Sequence, residues 1–184
     1  MDEKQLLAIL VSVACIAISE CKWPFFRKDP NIRKFLKTAE EIWTYATNEM
    51  TAIECKVDVK ESMTTKSMAF KRSYIYNRRK KSFRLLGLFD AKRSDIMVIK
   101  PSGDFPKQIE EILFMSRTHK CAVIKVTTFF GGSSKKYDLR VLNSSVEEGP
   151  DRKCVEHFYN VAGRGHKLYE NKCQRLFRNI YNIP

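Results

Sequence analysis

Between Ile53 and Lys60 the chain alternates without a break. Ile53, Cys55, Val57 and Val59 are apolar; Glu54, Lys56, Asp58 and Lys60 are charged. Period two sends successive side chains to opposite faces, so the segment reads as a strand with one buried and one wet face. Comparable runs follow at Met68 to Tyr76, Phe83 to Phe89, Ile96 to Ile99, Ile109 to Met115, Lys120 to Phe130 and Tyr137 to Leu142. Pro101-Ser102-Gly103-Asp104 and Gly131-Gly132-Ser133-Ser134 supply turns, and Asn77-Arg78-Arg79-Lys80-Lys81 reads as a hairpin loop. Gly87 marks a bend or bulge. Short turns between neighbours imply up-and-down antiparallel order, and closing such a sheet removes its edges. The expected fold is mostly β, an antiparallel barrel.

Helical spacing appears on both sides of this region. Asp29 can cap a first helix with Pro30 at its first position, carrying a stripe of Ile32, Phe35, Leu36, Ala39 and Ile42 or Trp43. A second follows Cys154 with Val155, Phe158, Tyr159 and Ala162, ending at Gly163 and Gly165. From about Leu176 to Pro184 the chain reads as a loose basic-aromatic tail.

Leu6 to Ile18 is an apolar run of about 13 residues, the length of a signal-peptide core and short of a bilayer span. Cleavage after Ser19 fits the small residues Ala17 and Ser19, with Cys21 as the alternative point. The expectation is a leader over 1–19, one domain over 20–184, and a secreted, monomeric protein. Cys55, Cys121, Cys154 and Cys173 then form an even set suited to two disulfides, and sequence alone permits three pairings.

Lys and Arg exceed Asp and Glu by 34 to 21, a formal charge of +13. That excess favours acidic partners, among them polyanionic host surfaces, if Arg78 to Lys81 and the other basic residues converge. Neither nucleic acid nor a membrane is expected as the partner. His119, His157 and His166 share no metal-ligand spacing with the cysteines, and no nucleophile elbow, Walker loop or dinucleotide fingerprint is present. The chain is expected to be no enzyme and to need no metal or cofactor. Asn143-Ser144-Ser145 is a glycosylation sequon.

Several of these residues fall in a familiar order. Cys121-Ala122-Val123-Ile124, Tyr137-Asp138-Leu139-Arg140-Val141, Cys154 leading a helix, Tyr169 and Cys173-Gln174 resemble the tick salivary lipocalins of the histamine-binding protein family. The likeness runs from about Ile32 to Cys173. It implies an eight-stranded up-and-down lipocalin barrel between an N-terminal and a C-terminal helix, with disulfides Cys55–Cys173 and Cys121–Cys154. It also implies capture of a small host mediator, a biogenic amine such as histamine or serotonin, held by lumenal carboxylates and aromatics. The family's tyrosine-glutamate-leucine-tryptophan strand reads here Tyr137-Asp138-Leu139-Arg140: Asp138 keeps a carboxylate and Arg140 replaces an aromatic. Leu86 and Ala122 stand where amine-binding members carry acids, and Glu49 is a substitute acid. The candidate ligand residues are Asp138, Tyr137, Arg140, Tyr45, Glu49, Leu86 and Tyr74. Two alternatives stand beside the amine. One is a lipid mediator held through Arg140 in an apolar hole lined by Tyr74, Tyr76, Phe83, Leu86, Leu88, Phe89, Phe129 and Tyr137. The other is a basic surface that binds heparan, platelets or complement.

Overall fold

The computed structural model describes residues 30–178 except Asp104. The expected leader with its two cleavage points, Asp29, Cys21 and the expected tail beyond Arg178 lie outside the described residues. A short helix α1 (Ile32–Leu36) leads into β1 (Ile42–Thr47), β2 (Ile53–Met63), β3 (Ser67–Tyr76), β4 (Arg79–Phe89), β5 (Ile96–Ile99), β6 (Lys107–Met115), β7 (Cys121–Phe129) and β8 (Ser133–Leu142). Helices α2 (Asn143–Val146) and α3 (Arg152–Ala162), a two-residue strand β9 (His166–Lys167) and helix α4 (Lys172–Arg178) complete the chain. Strands β2 to β8 pair in sequence order, all antiparallel; β1 pairs β8 on one side and β2 on the other, which closes an eight-stranded barrel. Beyond its contact with β2, β1 is covered by β9, so its exposed edge is paired.

The first helix is shorter than its apolar stripe implied. Asn31 rather than Asp29 caps it, accepting from the Lys34 amide at 3.2 Å. It stops before Lys37, and the residues expected at its far end, Ile42 and Trp43, begin a strand instead. Ile42, Thr44 and Thr47 are β-branched and Trp43 and Tyr45 aromatic, a composition that packs better on a pleated surface than on a helix. This is the eighth strand, which the sequence pattern had concealed. Ile32, Phe35 and Leu36 seal one end of the barrel, where the Ile32 amide donates to Ser94 O and Arg33 to Asp90 O. Gly87 makes no bulge: it pairs regularly with Met68 and Ile99. A β-carbon there would run into Met97 Sδ, so the glycine leaves room for that side chain in the core. Of the expected hairpin loop only Asn77 and Arg78 form the turn; Arg79 to Lys81 belong to β4.

Two apolar clusters flank the barrel wall. One fills the lumen next to α1, with Met68, Phe70, Leu85, Ile99, Ile112 and Ile124. The other lies outside the wall, where Trp43, Val57, Val123, Leu139 and Val141 meet Phe158 of α3 and Phe177 of α4. Trp43 packs edge-on against Tyr169 at 5.2 Å and Phe177 at 5.7 Å. Phe177 is thus buried in a helix rather than loose in a tail, because its ring completes this outer cluster. The disulfides are Cys55–Cys173 and Cys121–Cys154. Both fasten the helical layer to the wall, and each contributes about 3–5 kcal/mol by restricting the unfolded chain.

The outer cluster inverts the expected facing of β2. Its apolar residues Cys55 and Val57 point outward, beneath the helices, while Lys56 and Asp58 point into the lumen and are buried. The register shifts between Glu54 and Val57, so the period holds from Cys55 to Lys60, and there the charged face is the inside.

Candidate functional site

Lys56 and Asp58 are part of a larger arrangement. Inward positions of β3, β6 and β8 carry Arg72, Gln108, Glu110, Asp138 and Arg140, all buried. Asp58 accepts from Arg72 Nε at 2.7 Å and Nη2 at 2.6 Å. Glu110 accepts from Arg140 Nη1 at 2.7 Å and Nη2 at 2.6 Å, and from Arg72 Nη2 at 2.8 Å. Asp138 accepts from Lys56 Nζ and Thr47 Oγ1, each at 2.9 Å, and stands 3.5 Å from Arg140. Arg72 also donates to Gln108 Oε1 at 3.1 Å, and Gln108 passes the chain to Thr128 Oγ1 at 3.1 Å. Strands β3 and β6 are not neighbours, nor are β6 and β8, so these bonds cross the lumen.

The charges cancel. Lys56, Arg72 and Arg140 face Asp58, Glu110 and Asp138, a neutral set sealed from solvent. Burial alone would push the Glu110 carboxyl up, but Arg140 and Arg72 outweigh it and hold the group well below the usual carboxylate range. Asp138 is held low in the same way by Lys56, Lys136 and Arg140, against burial. Both carboxylates therefore add stability at neutral pH that fades as acid protonates them. Lys56 behaves differently. Burial pulls its ammonium down to about 8, opposed by Asp138 and assisted by Lys136, Arg72 and Arg140. Within the pair the carboxylate stays ionised and the amine is the member that yields its proton.

Along β8 the inward order is Lys136, Asp138, Arg140, Leu142, so the Asp138–Lys56 pair lies on the side of the network away from α1. That end, opposite α1, is the mouth of the barrel, where Phe105 of the β5–β6 connection is buried. Lys136 there pairs with Glu49, and on β3 and β4 Tyr74 stacks on Phe83 at 6.1 Å, with Phe105 5.4 Å further on. The mouth thus has an aromatic wall, a polar wall and a floor of ion pairs. A separate open cleft of about 470 Å³ lined by Pro30, Lys92, Arg93, Ser94 and Asp95 lies at the other end, away from this chemistry.

Four of the expected ligand residues, Asp138, Arg140, Glu49 and Tyr74, belong to the lumen or its mouth. Three do not. Tyr137 and Tyr45 alternate outward into the cluster under the helices, where Tyr45 stacks on Tyr169 at 6.2 Å. Leu86 is 39 % exposed on the outer face, since its neighbour Leu85 takes the inward position. Leu88 and Phe129 also alternate outward, so only Tyr74, Tyr76, Phe83 and Phe89 of the expected apolar lining, all on β3 and β4, keep inward phase. Sequence reading missed Lys56, Asp58, Arg72 and Glu110. A signal existed: Arg72 sits two residues from both Phe70 and Tyr74, the phase of a buried face. Asn143 is partly enclosed, its Oδ1 accepting from Trp43 Nε1 at 2.9 Å and Gln174 Nε2 at 2.6 Å.

No protein-family model matches this chain, and no curated protein matches it by sequence. Solved structures do match. A serotonin complex of AM182 is similar at TM-score 0.59 and 18% identity, covering 73% of this chain and 85% of that one. Japanin from Rhipicephalus appendiculatus, bound to cholesterol, is similar at TM-score 0.57 and 10% identity, over 74% of this chain and 96% of its own. The siderocalin Ex-FABP, described as functioning through dual ligand specificities, is similar at 0.54 and 11% identity, over 68% and 84%. The closed antiparallel barrel with flanking helices is the lipocalin fold.

Proposed function

We propose that this chain is a secreted, non-catalytic binding protein that captures a small cationic aromatic molecule, a biogenic amine such as histamine or serotonin, in the mouth of its barrel. The observation that carries this reading is the Asp138–Lys56 pair: a buried carboxylate, facing the lumen, already holding an ammonium group. A ligand ammonium would take the place of Lys56 Nζ on Asp138, and the ligand ring would lie toward Tyr74 and Phe83. In a water-poor site both the ion pair and the aromatic faces are worth more than in solution. Secretion is supported by the two disulfides and the apolar leader.

The lipid alternative fits less well. Both terminal nitrogens of Arg140 are committed to Glu110, so neither is left for a lipid carboxylate. Calorimetric titration with histamine, serotonin and a leukotriene in parallel tests the reading. Amine heat should be present in the parent and absent in a folded Asp138→Asn protein. Unchanged amine uptake in that variant, or heat from the leukotriene alone, overturns it.

A further inference from the structure

In up-and-down order the connections β1–β2, β3–β4, β5–β6 and β7–β8 all lie at the end opposite α1. Their side chains are unusual for a surface. Met50, on the first connection, is 94 % exposed; Phe130, on the last, is 83 % exposed. Tyr76 and Phe129, at the ends of β3 and β7, are 43 % and 41 % exposed. Isolated exposed apolar residues need no explanation, but four large ones at one end of a barrel do.

Cations stand between them. Arg78 occupies the β3–β4 turn, Arg79 and Lys81 follow it on β4, Lys107 lies 5.5 Å over the Phe129 ring, and Lys135 follows Phe130 on β8. None of these five pairs with a carboxylate among the described residues, and of the described acids nearby Glu49 is taken by Lys136 and Glu54 by Lys172. The rim is therefore apolar at its tips and positively charged between them. Arg78 also holds a φ of +61° beside Asn77 at +49°, the two-residue turn in which glycine is favoured at the second position. A costly backbone state keeps an arginine at the tip.

We propose that this rim docks on a membrane surface carrying acidic lipids, with Met50, Phe130 and the Phe129 ring entering the headgroup layer and the five cations meeting anionic headgroups. Basic residues are attracted to such a surface, and amphipathic or apolar tips settle at its boundary. The apolar tips stand on separate loops, so they make no continuous face for a folded protein. A sulfated polysaccharide would use the cations and leave Met50 and Phe130 without a role. The proposal departs from the expectation of no membrane partner, and it is independent of which molecule the lumen holds. Docking would turn the mouth toward the bilayer.

The test is co-sedimentation of the full-length mature protein with vesicles of phosphatidylcholine alone and of phosphatidylcholine mixed with phosphatidylserine. The parent should prefer the acidic vesicles by at least about tenfold, less so at high salt. Joint substitution Met50→Ser and Phe130→Ser should weaken that binding about tenfold or more. Arg78→Gly should weaken it about fivefold, while relief of the positive φ leaves thermal stability equal or higher. A Phe130→Trp reporter should shift to the blue on acidic vesicles. Equal or absent binding to both vesicles overturns the proposal, as does binding that ignores all three substitutions. Heparin binding with no spectral shift on vesicles also overturns it and identifies the rim as a polysaccharide site.

Discussion

Glu110→Gln should destabilise this protein by about 3–5 kcal/mol, seen as a fall in the urea midpoint with an unchanged slope. Glu110 is fully buried and accepts from both Arg72 and Arg140. An amide of the same shape keeps the volume and removes the charge, so three lumenal cations would face two carboxylates. The loss arises from stranding cations in a dry interior, not from any large net worth of the intact set. That distinction is measurable. Joint replacement Glu110→Met and Arg140→Met removes one charge of each sign and should recover much of the loss. Arg72 retains its two bonds to Asp58 in that double variant. Strict additivity of the two single changes would contradict the existence of a coupled network.

The second large effect concerns amine uptake and pH. Lys56 gives up its proton near pH 8, and its ammonium holds the place proposed for the ligand. At pH 7 only about a tenth of the molecules have a neutral Lys56, and apparent affinity scales with the competent fraction. Amine affinity should therefore rise roughly tenfold between pH 7 and 9, until the ligand's own ammonium titrates. Lys56→Met should bind about tenfold tighter at pH 7 and lose the dependence, at a cost in stability because Asp138 is left without its lysine. Saturating amine should restore that stability. A flat pH profile in the parent, or a variant that binds no better, would remove Lys56 from the site. The sign of the stability effect is also fixed. The folded value lies below the unfolded one of about 10.4, so the unfolded chain holds more protons in between, and Lys56 makes folding more favourable as pH rises from 8 toward that value.

Much of the barrel was legible because period two survives over most of seven strands, interrupted by register shifts in β2 and β6. What periodicity could not state was which face is covered. In β2 both are: helices cover one and the lumen encloses the other, so charged residues normally assigned to water lie inside. The rule that charges face solvent fails where they can pair, and the pairing comes from strands far apart in sequence, Arg72 with Glu110 and Lys56 with Asp138. β1 was hidden for a local reason, since Ile32, Phe35, Leu36 and Ala39 begin a helical stripe that Ile42 and Trp43 happen to continue. Tyr45 and Tyr137 were chosen for chemistry, a ring with a hydroxyl, before their facing was known. Asp138 was chosen by its place in a motif, and inward phase along β8 agrees with that placement.

The fastenings of the barrel are uneven. Both disulfides lie on β2, β7 and the helices they join, and the lumenal ion pairs and hydrogen bonds engage β1, β2, β3, β6, β7 and β8. Strands β4 and β5 take part in neither and share a ladder only three residue pairs long. Thermal breathing of this cup should begin at that seam, so the wall that yields first is the one opposite its rivets.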